Sequence, residues 1–122
     1  ALDAVGSMVE TACEVRKILK EKGLDVTVVN ERFIKPIDAG MIHKLSFDHK
    51  LIVTMEENVG LGGFGETVCQ YADDSQLDVK VLNIALPDDY VAILSSSTRL
   101  LSLITIVIVS FAPNTILLLL SV

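Results

Sequence analysis

Residues 51–65, LIVTMEENVGLGGFG, constrain the fold more than any other stretch of the chain. The segment begins with an apolar, β-branched run, Leu51–Met55, which is typical of a buried strand. Three polar residues end the run and a glycine loop follows, with Glu56, Glu57, Asn58, Gly60, Gly62, Gly63 and Gly65. Helical spacing then continues from Glu66 to Ala72. The segment therefore predicts one half of a βα unit, whose loop lies where open α/β sheets meet ligands and partners.

The remainder of residues 1–91 alternates in the same way. Strands are predicted at residues 1–5, 26–29, 51–55 and 79–84, although Asp3 weakens the first of them. Helices are predicted at residues 7–22, from Asp38 to about Leu45, and at 66–72. Helices between strands predict an α/β fold, a three-layer domain with a mostly parallel sheet and helices on both faces.

Capping residues support these helix boundaries. Ser7 and Glu10 have the S-x-x-E spacing of a capping box at the start of the first helix. Gly23 stands where a helix commonly ends on a left-handed glycine. Asp38 is a suitable N-cap for the second helix.

Composition excludes some functional classes. The net charge is −6 and the ten Lys and Arg residues form no cluster, so the chain lacks the basic face that nucleic-acid binding needs. Cys13 and Cys69 are far apart and have no metal-ligand spacing, so we expect two buried free thiols in a reducing compartment. Because the chain starts at Ala1 and opens directly into a strand, we expect a piece of a longer polypeptide.

Three blocks of sequence carry a family resemblance. They are GSMVETACEVRKILKEKGLDVTVVNERFIKPID, LIVTMEENVGLGGFGETV and VKVLNIALPDDYV. Together they resemble the C-terminal domain of the 1-deoxy-D-xylulose-5-phosphate synthase family, which belongs to the transketolase-like thiamine diphosphate enzymes. The resemblance runs from about Leu2 to Val91. The pyruvate dehydrogenase β chain has a related pattern, which fits less well at Asn58 and Phe64.

The resemblance implies a function for the complete enzyme. Such enzymes condense pyruvate with glyceraldehyde 3-phosphate, with loss of CO2, for isoprenoid precursor and thiamine biosynthesis. Thiamine diphosphate and Mg2+ are held by other domains, so this piece is expected to bind no cofactor and to be inactive alone. Its expected partners are the other domains and a second subunit of a homodimer, in a bacterial cytoplasm or a plastid. The alternative is a non-catalytic interaction or dimerisation domain of another transketolase-like enzyme, of the pyruvate dehydrogenase β-chain type.

The candidate site residues each allow two interpretations. Glu56, Glu57 and Asn58 are either an acid–base pair with an orienting amide or, as the resemblance favours, residues that fix loops and domain contacts. The other candidates are the three glycines Gly62, Gly63 and Gly65. They either cradle a phosphate or allow tight backbone packing at a helix start, and we favour packing.

The basic and histidine candidates lie outside that loop. Arg32 and Lys35 flank two apolar residues and either bind an organic anion or form interdomain ion pairs. His43 and His49 have no nucleophile or orienting partner in sequence, so we expect solvated or capping roles.

Residues 92–122 depart from this pattern. All 16 acidic residues lie at or before Asp89, and Arg99 is the only charge after Val91. We favour a shifted reading frame or a chimaeric gene end for this apolar tail. The alternatives are a membrane anchor and a buried terminal helix or strand pair, and we do not expect membrane attachment.

Overall fold

The computed structural model describes residues 1–86 of the chain. Strands and helices alternate throughout this part. Their bounds are β1 Leu2–Val5, α1 Met8–Glu21, β2 Val28–Glu31, α2 Ala39–Asp48, β3 Leu51–Val59, α3 Phe64–Asp74 and β4 Lys80–Leu86. The predicted order of elements is therefore confirmed. Residues 87–122, which include the apolar tail of residues 92–122, lie outside the described residues.

The four strands form one parallel sheet in the order β2-β1-β3-β4. The chain moves in one direction from β1 to β2, and in the other from β2 to β3 and then to β4. Because parallel crossovers are right-handed, this reversal places α1 on one face and α2 with α3 on the other. The three-layer α/β fold predicted from the sequence is confirmed. The reversal also creates a topological switch point between the carboxyl ends of β1 and β3.

Apolar side chains fill the space on both faces of the sheet. On one face, α1 buries a helical stripe of Met8, Ala12, Val15 and Leu19. On the other, the core consists of Ile42, Leu45, Ile52, Phe64 and Val68. Full burial of each large side chain contributes about 1.5–3 kcal/mol, which makes these two layers the main source of stability.

The expectation of two buried thiols is wrong for Cys13. Cys13 is exposed on α1, whereas Cys69 on α3 is half-buried. The reason lies in the helical period, because Cys13 follows the buried Ala12 by one residue and so points about 100° away from the stripe.

Strand and helix bounds differ from the prediction where pairing decides them. β2 begins at Val28, which pairs with Leu2 of β1. β3 continues to Val59, which pairs with Leu86 of β4 after an irregularity in register. Tertiary pairing thus overrides local propensity, which had placed the end of the strand at the first polar residue. In addition, α3 begins at Phe64, so Gly65 belongs to the first turn of the helix.

The helix caps give mixed outcomes. The capping box at Ser7 is wrong, because the Ser7 hydroxyl makes no cap bond and donates to Glu57 Oε2 at 2.6 Å instead. Gly23 has φ +82°, and the N–H groups of Gly23 and Leu24 donate to Lys20 O and Leu19 O, as in a Schellman motif. Asp38 Oδ1 accepts the Met41 N–H at 2.9 Å, as a capping aspartate should.

Candidate functional site

A cleft of about 290 Å³ lies at the switch point between the carboxyl ends of β1 and β3. It is bordered by the turn after β1, the end of β3, the glycine loop and the segment after β2. The lining residues include Ser7, Ile34, Glu56, Glu57, Asn58, Gly62 and Gly63. The structure therefore brings most of the candidate residues to one edge of the sheet.

Glu56 serves as a cap for α3 from the neighbouring strand. Its side chain is buried, with 4% exposed. Oε2 accepts the Phe64 N–H and Oε1 accepts the Gly65 N–H, both at 2.9 Å. These N–H groups have no intrahelical partner, and the positive end of the helix dipole favours a carboxylate there. Hydrogen bonds to a charged group contribute about 1.5–3 kcal/mol each, so Glu56 holds the glycine loop firmly against β3.

The close packing of the glycine loop against β3 and β4 requires glycine at two positions. A Cβ atom on Gly63 would come within 2.6 Å of Glu56 Oε2 and 2.8 Å of Val59 O. A Cβ atom on Gly65 would overlap the Asn83 side chain. Since Glu56 also takes the N–H groups that a phosphate would need, the geometry favours tight backbone packing over a phosphate cradle. Gly62 has φ +72°, a left-handed conformation that favours glycine.

Glu57 and Asn58 have partners different from those of Glu56. Both side chains are exposed. Glu57 accepts the Ser7 hydroxyl, and Asn58 Oδ1 accepts the N–H of the next residue, Val59. Successive side chains of a strand point to opposite faces, so the carboxylates of Glu56 and Glu57 are directed at different parts of the molecule. The structure thus does not assemble them as an acid–base pair.

Arg32 and Lys35 lie in the loop between β2 and α2. Both are exposed, and within residues 1–86 neither has a hydrogen bond or an ion pair. The two residues between them are also exposed, Phe33 by 70% and Ile34 by 42%. Leu61 in the glycine loop is exposed by 72%. Sequence reasoning singled out the charges and gave no role to these apolar neighbours.

Asp3 is a polar residue that the site prediction missed. It lies in the inner strand β1 with none of its surface exposed. Neither carboxyl oxygen accepts a hydrogen bond from any described residue. Burial is the main cause that raises the pKa of Asp3 to about 7, and the nearby Glu31 carboxylate contributes to the same rise. An aspartate within an otherwise apolar strand was the signal that could have identified this position.

The histidines and cysteines have ordinary structural surroundings. His43 packs against the Tyr71 ring edge-on, with centroids 5.8 Å apart. His49 Nε2 lies 3.0 Å from Thr27 Oγ1, and its ring Nδ1 lies near Leu45 O at the end of α2. Burial raises the pKa of the Cys69 thiol, with the nearby Asp73 and Glu66 carboxylates acting in the same direction. These surroundings agree with packing and capping roles.

The described residues do not fit a thiamine diphosphate and metal site. Residues 1–86 contain no group of three or more His, Cys, Asp or Glu side chains arranged to hold a metal ion. The cleft presents the carboxylates of Glu56 and Glu57, whose negative charge repels a diphosphate.

No helix within the described part has the length and apolar character needed to cross a membrane.

Curated relatives match this chain over most of its length. The 1-deoxy-D-xylulose-5-phosphate synthase of Lachnoclostridium phytofermentans is 51% identical over 92 residues, which cover 75% of this chain and 15% of that protein. The Clostridium tetani protein of the same name is 42% identical over 88 residues, or 72% of this chain and 14% of that protein. The chain therefore spans about one seventh of the relatives that it matches.

The fold has a solved counterpart. A split-gene transketolase, described as an inactive beta4 tetramer, superposes with a TM-score of 0.75 over 85% of this chain and 36% of that one, at 23% identity. This likeness concerns the fold alone. The family described as "Transketolase, C-terminal domain" matches residues 2–106. Fold, family match and curated relatives agree, and this chain belongs to the transketolase C-terminal domain family.

Proposed function

We propose that this chain acts as the C-terminal domain of a 1-deoxy-D-xylulose-5-phosphate synthase. The complete enzyme would condense pyruvate and glyceraldehyde 3-phosphate with loss of CO2, in isoprenoid precursor and thiamine biosynthesis. The observation that supports this most strongly is the 51% identity over 92 residues with a relative of that name. We place the enzyme in a bacterial cytoplasm or a plastid, as a homodimer.

The role of the domain is to support the reaction from outside the cofactor site. Glu56, the most buried charge of the carboxyl edge, is fully used in capping α3. Glu57 and Asn58 secure the turn after β1 and the end of β3. We therefore assign thiamine diphosphate and Mg2+ to other domains and expect this chain alone to be inactive.

The carboxyl edge of the sheet is the surface that we assign to interdomain contacts. Phe33, Ile34 and Leu61 expose apolar surface there, beside the cations Arg32 and Lys35, which pair with none of the described residues. Exposed apolar residues rimmed by charge are typical of protein interfaces. Because the chain covers 15% of its relative, most of such an enzyme lies outside it and is available to cover this edge.

A domain exchange tests the proposal. The aligned 92 residues of the Lachnoclostridium phytofermentans synthase would be replaced by those of this chain, and the product of pyruvate and glyceraldehyde 3-phosphate would be measured with thiamine diphosphate and Mg2+ present. We expect an active chimaera, whereas this chain alone should neither turn over substrate nor bind the cofactor in calorimetry. A folded, dimeric but inactive chimaera would contradict the assignment, as would cofactor binding by this chain alone.

A further inference from the structure

Three carboxyl side chains lie near the ends of the loop of residues 32–37, those of Asp3, Glu31 and Asp38; the first two are buried and Asp38 is exposed. The loop begins after Glu31, the last residue of β2, and ends at Asp38, the N-cap of α2. On the neighbouring strand β1, Asp3 pairs with Val29 and Val5 pairs with Glu31, so the side chains of Asp3 and Glu31 lie on the same face of the sheet, two positions apart. The charge of Asp38 also acts on Asp3, as the weakest of the neighbouring charges. The two attachment points of the loop thus share one buried neighbour.

Between these two attachment points, few interactions hold the loop in place. Residues 32–36 are all exposed, and Ile37 packs against the apolar core. The Glu31 side chain, itself 7% exposed, accepts the Phe33 N–H at 3.4 Å, which is a long hydrogen bond. Glu31 is therefore both one of the three carboxyl side chains and the side chain that fixes the start of the loop.

Asp3 is the residue whose charge this arrangement tolerates least. It is fully buried, and neither oxygen accepts a hydrogen bond from residues 1–86. Glu31 acts on it from β2 and Asp38 from the start of α2, while the amino group of Ala1, the residue before β1, acts in the opposite sense. Burial lowers the pKa of that amino group to about 6, so it opposes the carboxylates mainly at the acid end of the range. On β3 the residue opposite Asp3 is Thr54, which has no charge. Burial raises the pKa of Asp3 to about 7, so its proton is exchanged near neutral pH.

We propose that the proton on Asp3 controls the loop of residues 32–37. With Asp3 protonated, the Glu31 carboxylate remains beside β1 and holds the Phe33 N–H. With Asp3 ionised, repulsion among Asp3, Glu31 and Asp38 drives Glu31 outward, the bond to Phe33 breaks, and the loop opens. Since Arg32 and Lys35 lie on this loop, their positions follow the same proton. Asp3 is thus a positioning residue, which acts on the loop through Glu31.

Amide hydrogen exchange of the full 122-residue chain tests this proposal between about pH 5.5 and 8.5. The Phe33 exchange rate would be divided by the rate of an unstructured peptide at each pH, so that intrinsic base catalysis cancels. We expect the protection of Phe33 to fall about tenfold or more as pH rises from about 6 to 8, because one pKa unit of coupling corresponds to a factor of ten. The Leu24 amide, bonded to Leu19 O just after the C-terminal end of α1, serves as the comparison amide outside the loop and should lose less.

Two variants and one control separate this mechanism from a general loss of structure. Asp3→Asn and Glu31→Gln each remove one charge while keeping side-chain shape, and Gln keeps an acceptor for Phe33; both should abolish the pH dependence. Asp25→Asn removes an exposed carboxylate that pairs with Arg16, and it should behave as the parent chain does. Constant protection of Phe33 in the parent would overturn the proposal. So would an equal pH dependence in Asp3→Asn, or a loss at Leu24 as large as that at Phe33.

Discussion

Two buried carboxylates on adjacent strands show how differently the same charge can be accommodated. Glu56 on β3 and Asp3 on β1 are both withdrawn from solvent. Glu56 accepts two backbone N–H groups at a helix N-terminus. Asp3 accepts none from the described residues and lies among other carboxylates. Burial of an ion is tolerated where donors and a favourable dipole replace water, and it is unfavourable where like charges replace it.

The largest effect should follow from removal of the well-satisfied carboxylate. Glu56→Ala leaves the N–H groups of Phe64 and Gly65 without acceptors and opens a gap beneath Gly63. We expect a loss of about 3–5 kcal/mol in the free energy of unfolding, measured by urea denaturation near neutral pH. Glu57→Ala is the matched control, since its exposed carboxylate has one hydroxyl partner. Equal losses in the two variants would contradict the capping role of Glu56.

Substitution of Asp3, in contrast to that of Glu56, is expected to raise the free energy of unfolding. Burial raises the pKa of the Asp3 carboxyl from its ordinary value of 3.8, which applies to the unfolded chain, to about 7 in the folded chain. Between these values the folded state keeps a proton that the unfolded state has released, so stability falls as pH rises from about 4 to about 7 and stays lower above that range. Asp3→Asn should remove this slope and raise stability at about pH 8 by about 2 kcal/mol, less than the full shift implies because the amide also lacks partners. Denaturation of parent and variant across this pH range measures the difference, and parallel profiles would contradict it.

A smaller contrast concerns the two helix N-caps. Asp38→Ala removes an acceptor for the Met41 N–H and should destabilise the chain by about 1 kcal/mol. Ser7→Ala removes only an exposed bond to Glu57 and should change stability by about 0.5 kcal/mol or less. Paired denaturation curves compare the two variants. A larger loss of stability for Ser7→Ala than for Asp38→Ala would contradict this expectation and support a capping role for Ser7.

The fold was predictable because its signals are local and repeated. Apolar periodicity identified every strand and helix of the described part, and alternation gave a parallel sheet with right-handed crossovers. Gly23 and Asp38 were recognised because their roles depend on a few neighbouring residues. The family resemblance is supported by curated relatives at 42% and 51% identity.

What the sequence could not predict depends on contacts between distant residues. Ser7 has the spacing of a capping box, yet its hydroxyl is taken by Glu57, 50 positions away. β3 continues through three polar residues because β4 lies beside it, which no local window reveals. Glu56 became a helix cap only when the glycine loop folded back over it, and the carboxylates around Asp3 are brought together from three elements. The assignment of Arg32 and Lys35 to interdomain contacts stays a prediction.

The strand order imposes a sequence of events on synthesis of the chain. Of the four described strands β1 is made before the other three, yet it lies inside the sheet, between β2 and β3. One edge of Leu2–Val5 is paired only when Val53–Met55 arrive, some 50 residues later. A nascent chain must therefore carry an apolar half-paired strand while that length is translated, which is the kind of exposed edge that chaperones protect. The inner position of β1 creates the switch point of the finished sheet. The same position leaves one edge of β1 unpaired during translation, and that edge is the part of the nascent chain that most needs protection by a chaperone.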